Sequence, residues 1–201
     1  MSATAWIWAH LSFALILGGL LMPVAKRLDL PARGREFVYF LALLLSLIPW
    51  QGVDMAGRLL GISDFLSVPS VLLMLLYAAW SVERLPRVPA LQRAGLVLPA
   101  AAAALFLYVL TLGHFPLDVY LPGYFRDMAL AVLALAAVAW MSGLWLAGLA
   151  LLLATGLWMV GALESPNLWD YLVDPWLLPF ALWWAGRQLF QWRKDQKALA
   201  R

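Results

Sequence analysis

Acidic side chains recur in the short polar segments of this otherwise apolar chain. Asp64, Asp118 and Asp170 each lie ahead of an apolar run, and their loops converge if the runs pack around a common axis. Three carboxylates with an imidazole can hold a hard divalent cation, activate water or bind a cationic headgroup. The residues predicted to complete such a binding site are Arg58 and Arg126 as balancing charges, the polar His114 and Glu164, and the aromatic Trp50 and Trp169.

Helix capping offers a structural explanation for the same acids. An Asp ahead of an apolar run accepts hydrogen bonds from the first free backbone N–H groups of a helix and suits its dipole. Capping is the favoured interpretation of Asp64 and Asp170, whereas a proline and a glycine separate Asp118 from the next run. Asp54 and Arg58 stand four residues apart, a spacing that predicts a pair on one face of a helix that continues past residue 52.

The two histidines, His10 and His114, fall towards the same end of their apolar runs. Two histidines at matched depth can ligate a haem iron. Neither belongs to a spaced ligand motif, so capping or interfacial placement is the favoured interpretation, and no metal or cofactor is predicted. Trp50 and Trp169 flank the outer acids, and an aromatic wall beside carboxylates is typical of a site for an organic cation or a sugar.

The sequence carries no catalytic signature. It contains no GxSxG, no HExxH and no glycine-rich phosphate loop. It also contains no cysteine, which excludes a thiol nucleophile and a thiolate metal site. Enzymatic activity is therefore not the expected function, although a site with an acid as general base and His114 as its partner stays open as an alternative.

Apolar runs must position these polar residues. Hydrophobic residues make up 65% of the 201 residues and charged residues 12%, which is more apolar surface than one soluble core can bury. A membrane-spanning helix needs roughly 20 apolar residues. The runs predict seven spans that fill a single transmembrane domain, 1–201, and lie near residues 5–24, 37–53, 65–82, 95–113, 127–141, 143–162 and 175–190.

The charge pattern predicts the orientation of the bundle. All fourteen Lys and Arg residues except Arg58 and Arg126 fall at 26–35, 84–93 and 187–201. Basic residues beside spans are retained in the cytoplasm, so the N-terminus is expected outside and the C-terminus inside. The first run lacks a preceding basic segment and is expected to be a retained span. Topology and anionic lipid explain the net charge of +3, which removes the argument for nucleic acid binding.

The three acidic loops resemble one another. Their acids, Asp64, Asp118 and Asp170, stand 54 and 52 positions apart, and a proline follows each. This spacing favours three related helix hairpins after one extra helix. An arrangement in which spans one to three echo spans five to seven is also compatible with it.

Together these patterns predict an all-α, polytopic bundle of about seven transmembrane helices in the cell inner (cytoplasmic) membrane. The expected function is binding or translocation of a small solute or lipid headgroup through an outward-facing, acidic and Trp-rich pocket. One alternative is a non-catalytic accessory subunit or assembly factor that docks a membrane-protein partner. The other is a membrane enzyme acting on a lipid-linked substrate at the outer face. Membrane lipid is the expected partner in each case.

Overall fold

A computed structural model describes residues 2–63, 65–112, 118–184 and 186, and these residues are mostly helical. The α-helices are α1 Ala3–Arg27, α2 Ala32–Ser46, α3 Met55–Ser63, α4 Val68–Ser81, α5 Ala90–Leu112, α6 Arg126–Met141, α7 Trp145–Met159 and α8 Trp169–Leu172. A short hairpin pairs β1 Pro49–Trp50 with β2 Val53–Asp54, and a 3-10 helix spans Leu121–Tyr124. Residues 177–184 form a last helix. The predicted all-α class is confirmed.

Helices overlap all seven predicted runs, but they differ in length. In the part of the chain that the structure describes, α1 with 25 residues and α5 with 23 are long and apolar enough to cross a membrane. The apolar helices α4 and α7 have 14 and 15 residues. Helix length therefore shows two candidate spans, and a bundle of seven crossings goes beyond it.

The second predicted span ends earlier than its hydropathy suggests. Its helix, α2, stops before Pro49, which begins β1. Gln51 and Gly52 have φ angles of 54° and 82°, the positive values that a two-residue turn between antiparallel strands requires. Asp54 therefore ends a strand, and the prediction that it shares one continuous helix with Arg58 is wrong.

Small residues allow the closest helix contacts. In α6 and α7, Ala136 and Ala150 are almost fully buried, and the two helices pack along each other. Gly148 of α7 lies where an added Cβ would be 3.1 Å from the Ala136 carbonyl oxygen. This is the close approach that small residues permit in membrane bundles.

The largest buried cluster lies towards one end of the bundle. It joins Ala104 of α5, Val132 of α6 and Ala154 of α7 to Leu168 and Tyr171, which belong to the segment between α7 and the last helix. That segment therefore packs as part of the core, and Asp174 within it is buried.

Two breaks that carry basic residues, 26–35 and 84–93, meet at the opposite end. Arg35 at the start of α2 donates to the Ser81 carbonyl at the end of α4 over 2.6 Å and also pairs with Glu83. Gln92 of α5 donates to the Gly143 carbonyl in the turn between α6 and α7 over 2.7 Å. These contacts bring alternate chain breaks to one end, as the charge pattern predicts. We call it the basic end, and the other the acidic end.

Asp174 connects two helices at the acidic end. Its carboxylate accepts the Ser67 backbone N–H over 2.9 Å and the Ser67 hydroxyl over 2.6 Å, just ahead of α4. The other carboxylate oxygen accepts the backbone N–H groups of Trp176 at 2.8 Å and Leu177 at 3.1 Å, which caps the last helix. Asp174 is only 1% exposed. A buried carboxylate is tolerated when its oxygens are hydrogen-bonded, and here both are.

We expect Asp174→Ala to lower the free energy of unfolding by roughly 3 kcal/mol or more, because it leaves several buried donors without an acceptor. Reversible unfolding in mixed micelles, followed by circular dichroism, measures the change. Asp127→Ala is the matched control, since Asp127 is exposed in the first turn of α6. Its loss should stay below about 1 kcal/mol. Equal effects of the two substitutions would contradict the central role of Asp174.

Candidate functional site

Asp170 is held by two hydroxyl groups at the acidic end. The Tyr120 hydroxyl lies 2.7 Å and 2.8 Å from its two carboxylate oxygens, and the Ser165 hydroxyl donates to one of them. Although Asp170 belongs to the first turn of α8, its side-chain bonds described here go to hydroxyls. The carboxylate thus fastens the loop before α8 to the segment before α6.

Asp118 caps a helix, although the sequence favoured capping for Asp64 and Asp170 and not for Asp118. One of its carboxylate oxygens accepts the backbone N–H groups of Tyr120 at 3.0 Å and Leu121 at 3.1 Å. These N–H groups stand at the start of the 3-10 helix, whose presence hydropathy alone did not indicate. The proline and glycine that separate Asp118 from α6 belong to this short helix, which explains why capping was underestimated.

Asn167 is a central residue of this region that sequence reasoning missed. Its side-chain amide donates to the Tyr120 carbonyl over 3.0 Å, and its side-chain oxygen accepts the Trp169 backbone N–H over 2.9 Å. The Trp169 ring N–H donates to the Val119 carbonyl over 3.0 Å. An Asn in a polar segment usually indicates a turn, and only the fold shows that this one is fully buried.

Tyr171 fixes the start of the same loop. Its buried hydroxyl accepts the Leu163 backbone N–H over 3.0 Å and donates to the Leu163 carbonyl over 3.1 Å. Burial raises the pKa of the Tyr171 phenol, which keeps the hydroxyl proton available as a donor. The loops around residues 118–124 and 163–172 therefore form one hydrogen-bonded unit, which we call the loop unit.

His10 is a buried residue of α1 that faces the hairpin at the acidic end. Its Nδ1 lies 2.8 Å from the Trp6 carbonyl oxygen, and since a carbonyl only accepts, Nδ1 carries the hydrogen. The Trp6 ring stacks on the imidazole with centroids 3.9 Å apart. The second nitrogen, Nε2, is buried and has no hydrogen-bond partner among the described residues.

Asp54 provides the group nearest to that free nitrogen. Its Oδ2 lies 3.7 Å from His10 Nε2, which is longer than a hydrogen bond. Its Oδ1 accepts the Gly57 backbone N–H over 2.6 Å, which caps the start of α3. The Asp54 side chain is 28% exposed, while that of His10 is 3% exposed. One oxygen is therefore used by the fold, and the other faces a buried imidazole from a solvent-accessible position.

Arg58 and Trp50 belong to the same hairpin region. The Arg58 guanidinium donates to the Trp50 carbonyl over 2.5 Å and also reaches the Gln51 side-chain oxygen at 3.3 Å. Arg58 thus closes the hairpin, and its described bonds do not go to Asp54. The Trp50 side chain is left exposed, at 59%.

The remaining predicted residues lie in different places. Arg126 is exposed at the start of α6, and Glu164 is exposed and accepts the Ser2 backbone N–H over 2.8 Å. Asp64 and His114 lie outside the described residues. Within the described ranges, no group of three His, Cys, Asp or Glu side chains is arranged to hold a metal ion.

The acidic end therefore contains two separate arrangements. The loop unit includes Asp118, Asp170 and Trp169, with the two acids at opposite ends of Tyr120. Trp50 and Arg58 lie with Asp54 at the hairpin, which α1 meets through His10. We call the His10 and Asp54 pair, with the stacked Trp6, the His10 site.

Comparison of the chain with protein-family models, with curated proteins and with solved structures gives no match. Function therefore has to follow from the contacts that these residues make.

We expect Gly123→Ala to disrupt the loop unit. An added Cβ would lie 1.8 Å from the Asn167 side-chain oxygen and 2.8 Å from the Trp169 ring, and neither group is free to move. The free energy of unfolding should fall by about 2 kcal/mol or more. Thermal unfolding in detergent, with limited proteolysis at the loops, measures this loss.

Gly156→Ala is the matched control, because nothing lies within 4 Å of a Cβ at that position in α7. It should be neutral or stabilise by up to about 1 kcal/mol, since alanine is the better helix former. A Gly123→Ala protein as stable as this control would show that the loop unit is not tightly packed.

Proposed function

We propose that the chain is an integral membrane protein that crosses the cytoplasmic membrane seven times, with its N-terminus outside. The lengths of α1 and α5 support this. So does the large apolar surface that the described residues expose, which includes Leu20 at 70%, Leu112 at 74% and Met141 at 88%. Apolar patches of this extent are typical of surfaces that face lipid or a partner.

The shorter helices are compatible with the same topology. A helix of 15 residues such as α7 is about 22 Å long, while the hydrocarbon core is roughly 30 Å thick. A short span is accommodated by local thinning of the bilayer at modest cost.

Because the sequence lacks cysteine, single cysteine substitutions can map this topology without a background signal. Arg33→Cys at the basic end should react with a membrane-impermeant maleimide only after the cells are permeabilised. Tyr124→Cys at the acidic end should react in intact cells, since its side chain is 48% exposed. Labelling of both positions in intact cells, or of neither, would contradict the proposed orientation.

We infer that the protein binds a small solute or a lipid headgroup at its outer face, as a receptor or as the first step of translocation. One observation carries this proposal: His10 Nε2 is buried, has no hydrogen-bond partner among the described residues and faces the Asp54 carboxylate at 3.7 Å. A buried polar atom without a partner is costly. A group of this kind needs an explanation, and a bound ligand that donates to it is one.

The chemistry of the His10 site favours a ligand that donates hydrogen bonds. A neutral imidazole nitrogen and a carboxylate oxygen both accept, so one nitrogen atom about 2.8 Å from each can donate to both. The negative charge of Asp54 and the stacked Trp6 ring favour a cation. The proposed ligand class is therefore a primary or secondary ammonium group, either on a solute or on a lipid headgroup.

Ethanolamine and choline provide a direct test, because only ethanolamine carries ammonium hydrogens to donate. Isothermal titration of the full chain in mild detergent should show ethanolamine binding and much weaker choline binding. Asp54→Asn should weaken ethanolamine binding roughly tenfold or more, because the charge-assisted bond is lost. Asparagine still caps α3, so the fold is kept.

Asp118→Asn is the matched control, since Asp118 caps the 3-10 helix and lies in the loop unit. It should leave ethanolamine binding close to that of the parent. Equal binding by the parent and Asp54→Asn would remove the His10 site from the proposal. Equal binding of choline would contradict the ligand class.

The accessory-subunit alternative is favoured by a different observation. Asp118, Asp170 and Asp174 all use their carboxylates in bonds that hold the fold, as that hypothesis requires. Under it, the exposed apolar faces dock partner helices, and ethanolamine does not bind. A partner protein that co-purifies equally with the parent and with Asp54→Asn would support this alternative.

A further inference from the structure

The basic end has cations that form no ion pair with the described acids. Lys26 lies at the end of α1, and Arg87 lies in the segment after α4. Both lie over the Trp80 ring, so these two charges are close to each other. Like charges repel, and a cluster of this kind is stabilised when an anion binds between its members.

Trp80 of α4 lies beneath both cations. Lys26 Nζ lies 4.1 Å from the centroid of the Trp80 rings, and the Arg87 guanidinium carbon lies 5.3 Å from it. Both distances are within the range of cation–π attraction. The indole thus holds two cations beside each other, and an indole at a helix end is typical of the headgroup level of a membrane.

Two acids at the basic end pair with other arginines. Glu83 pairs with Arg35, and Glu36 accepts the Arg84 guanidinium over 2.5 Å. Among the described residues, Lys26 and Arg87 form no ion pair with a carboxylate, although Glu83 also attracts the Lys26 charge. Two cations beside one indole are therefore left without an ion-pair partner in the described part of the chain.

We propose that Lys26 and Arg87 bind the phosphate of an anionic phospholipid from the inner leaflet, with Trp80 as the platform beneath the headgroup. The proposal depends on the membrane embedding proposed above, and it is independent of the His10 site. Guanidinium groups match phosphate oxygens in geometry and charge. Basic residues just inside a membrane attract anionic lipid. Lys26 and Arg87 come from different segments of the chain, and both lie over the Trp80 ring.

Native mass spectrometry of the full chain in mild detergent tests this assignment. The protein is titrated with phosphatidylglycerol and, separately, with phosphatidylcholine of the same acyl chains. The parent should prefer phosphatidylglycerol. The double variant Lys26→Gln/Arg87→Gln should bind it roughly tenfold more weakly or worse.

Arg27→Gln/Arg33→Gln is the matched control, because it removes the same charge from exposed positions at the same end. It should keep the phosphatidylglycerol preference of the parent. If the two double variants lose binding equally, general surface charge explains the preference and the site is overturned. A parent without any preference between the two lipids overturns it as well.

Inorganic phosphate distinguishes a lipid site from a site for a free anion. Millimolar phosphate should leave phosphatidylglycerol bound, because the acyl chains add affinity that a free ion lacks. Complete displacement would overturn the lipid assignment in favour of free phosphate. If the parent binds ethanolamine but does not prefer phosphatidylglycerol, this lipid site alone is overturned. If cysteine labelling contradicts the proposed orientation, the membrane embedding is overturned.

Discussion

The acidic end of this molecule depends on one buried carboxylate. Asp174 accepts hydrogen bonds from the residue before α4 and from the first turn of the last helix, so it sets where both helices begin. The loop unit packs against this junction through Leu172 and Val173. Because a buried carboxylate with satisfied oxygens is costly to separate from its donors, the two helix starts behave as one rigid support.

Most acids at this end are used in hydrogen bonds that hold the fold. Asp118 and Asp170 belong to the loop unit, and Asp174 holds the two helix starts together. The His10 site differs, because one oxygen of Asp54 is used by the fold and the other faces a nitrogen that has no hydrogen-bond partner among the described residues. The proposed binding site therefore depends on a surplus of acceptors at one place and not on the number of acids at one end.

Hydropathy and charge predicted the all-α class, the location of the helices and the grouping of alternate breaks. These features depend on residues that are near in sequence, so a single chain reveals them. Small residues in α6 and α7 allow the close contact of these two helices. The hairpin at residues 49–54 was missed, because apolar residues continue through it and hide the end of α2.

The site could not be predicted in the same way, because its contacts join distant positions. Ser67 and Asp174 are 107 positions apart, and Tyr120 and Asp170 are 50 apart. Asn167 looks like a turn residue, and His10 looks like an interfacial histidine, until their neighbours are known. Which acid caps a helix and which faces an open nitrogen is decided by tertiary packing.

Gln92 has a consequence for the order in which the chain is built into a bilayer. Its side chain bonds the Gly143 carbonyl and accepts the Leu146 backbone N–H over 3.3 Å, so it satisfies an α6–α7 turn that has no charge of its own. In the proposed topology, that turn lacks the basic residues that retain other turns in the cytoplasm. Gln92 of α5 is then what this turn bonds to at the basic end, so the contact can form only once α5 is in place.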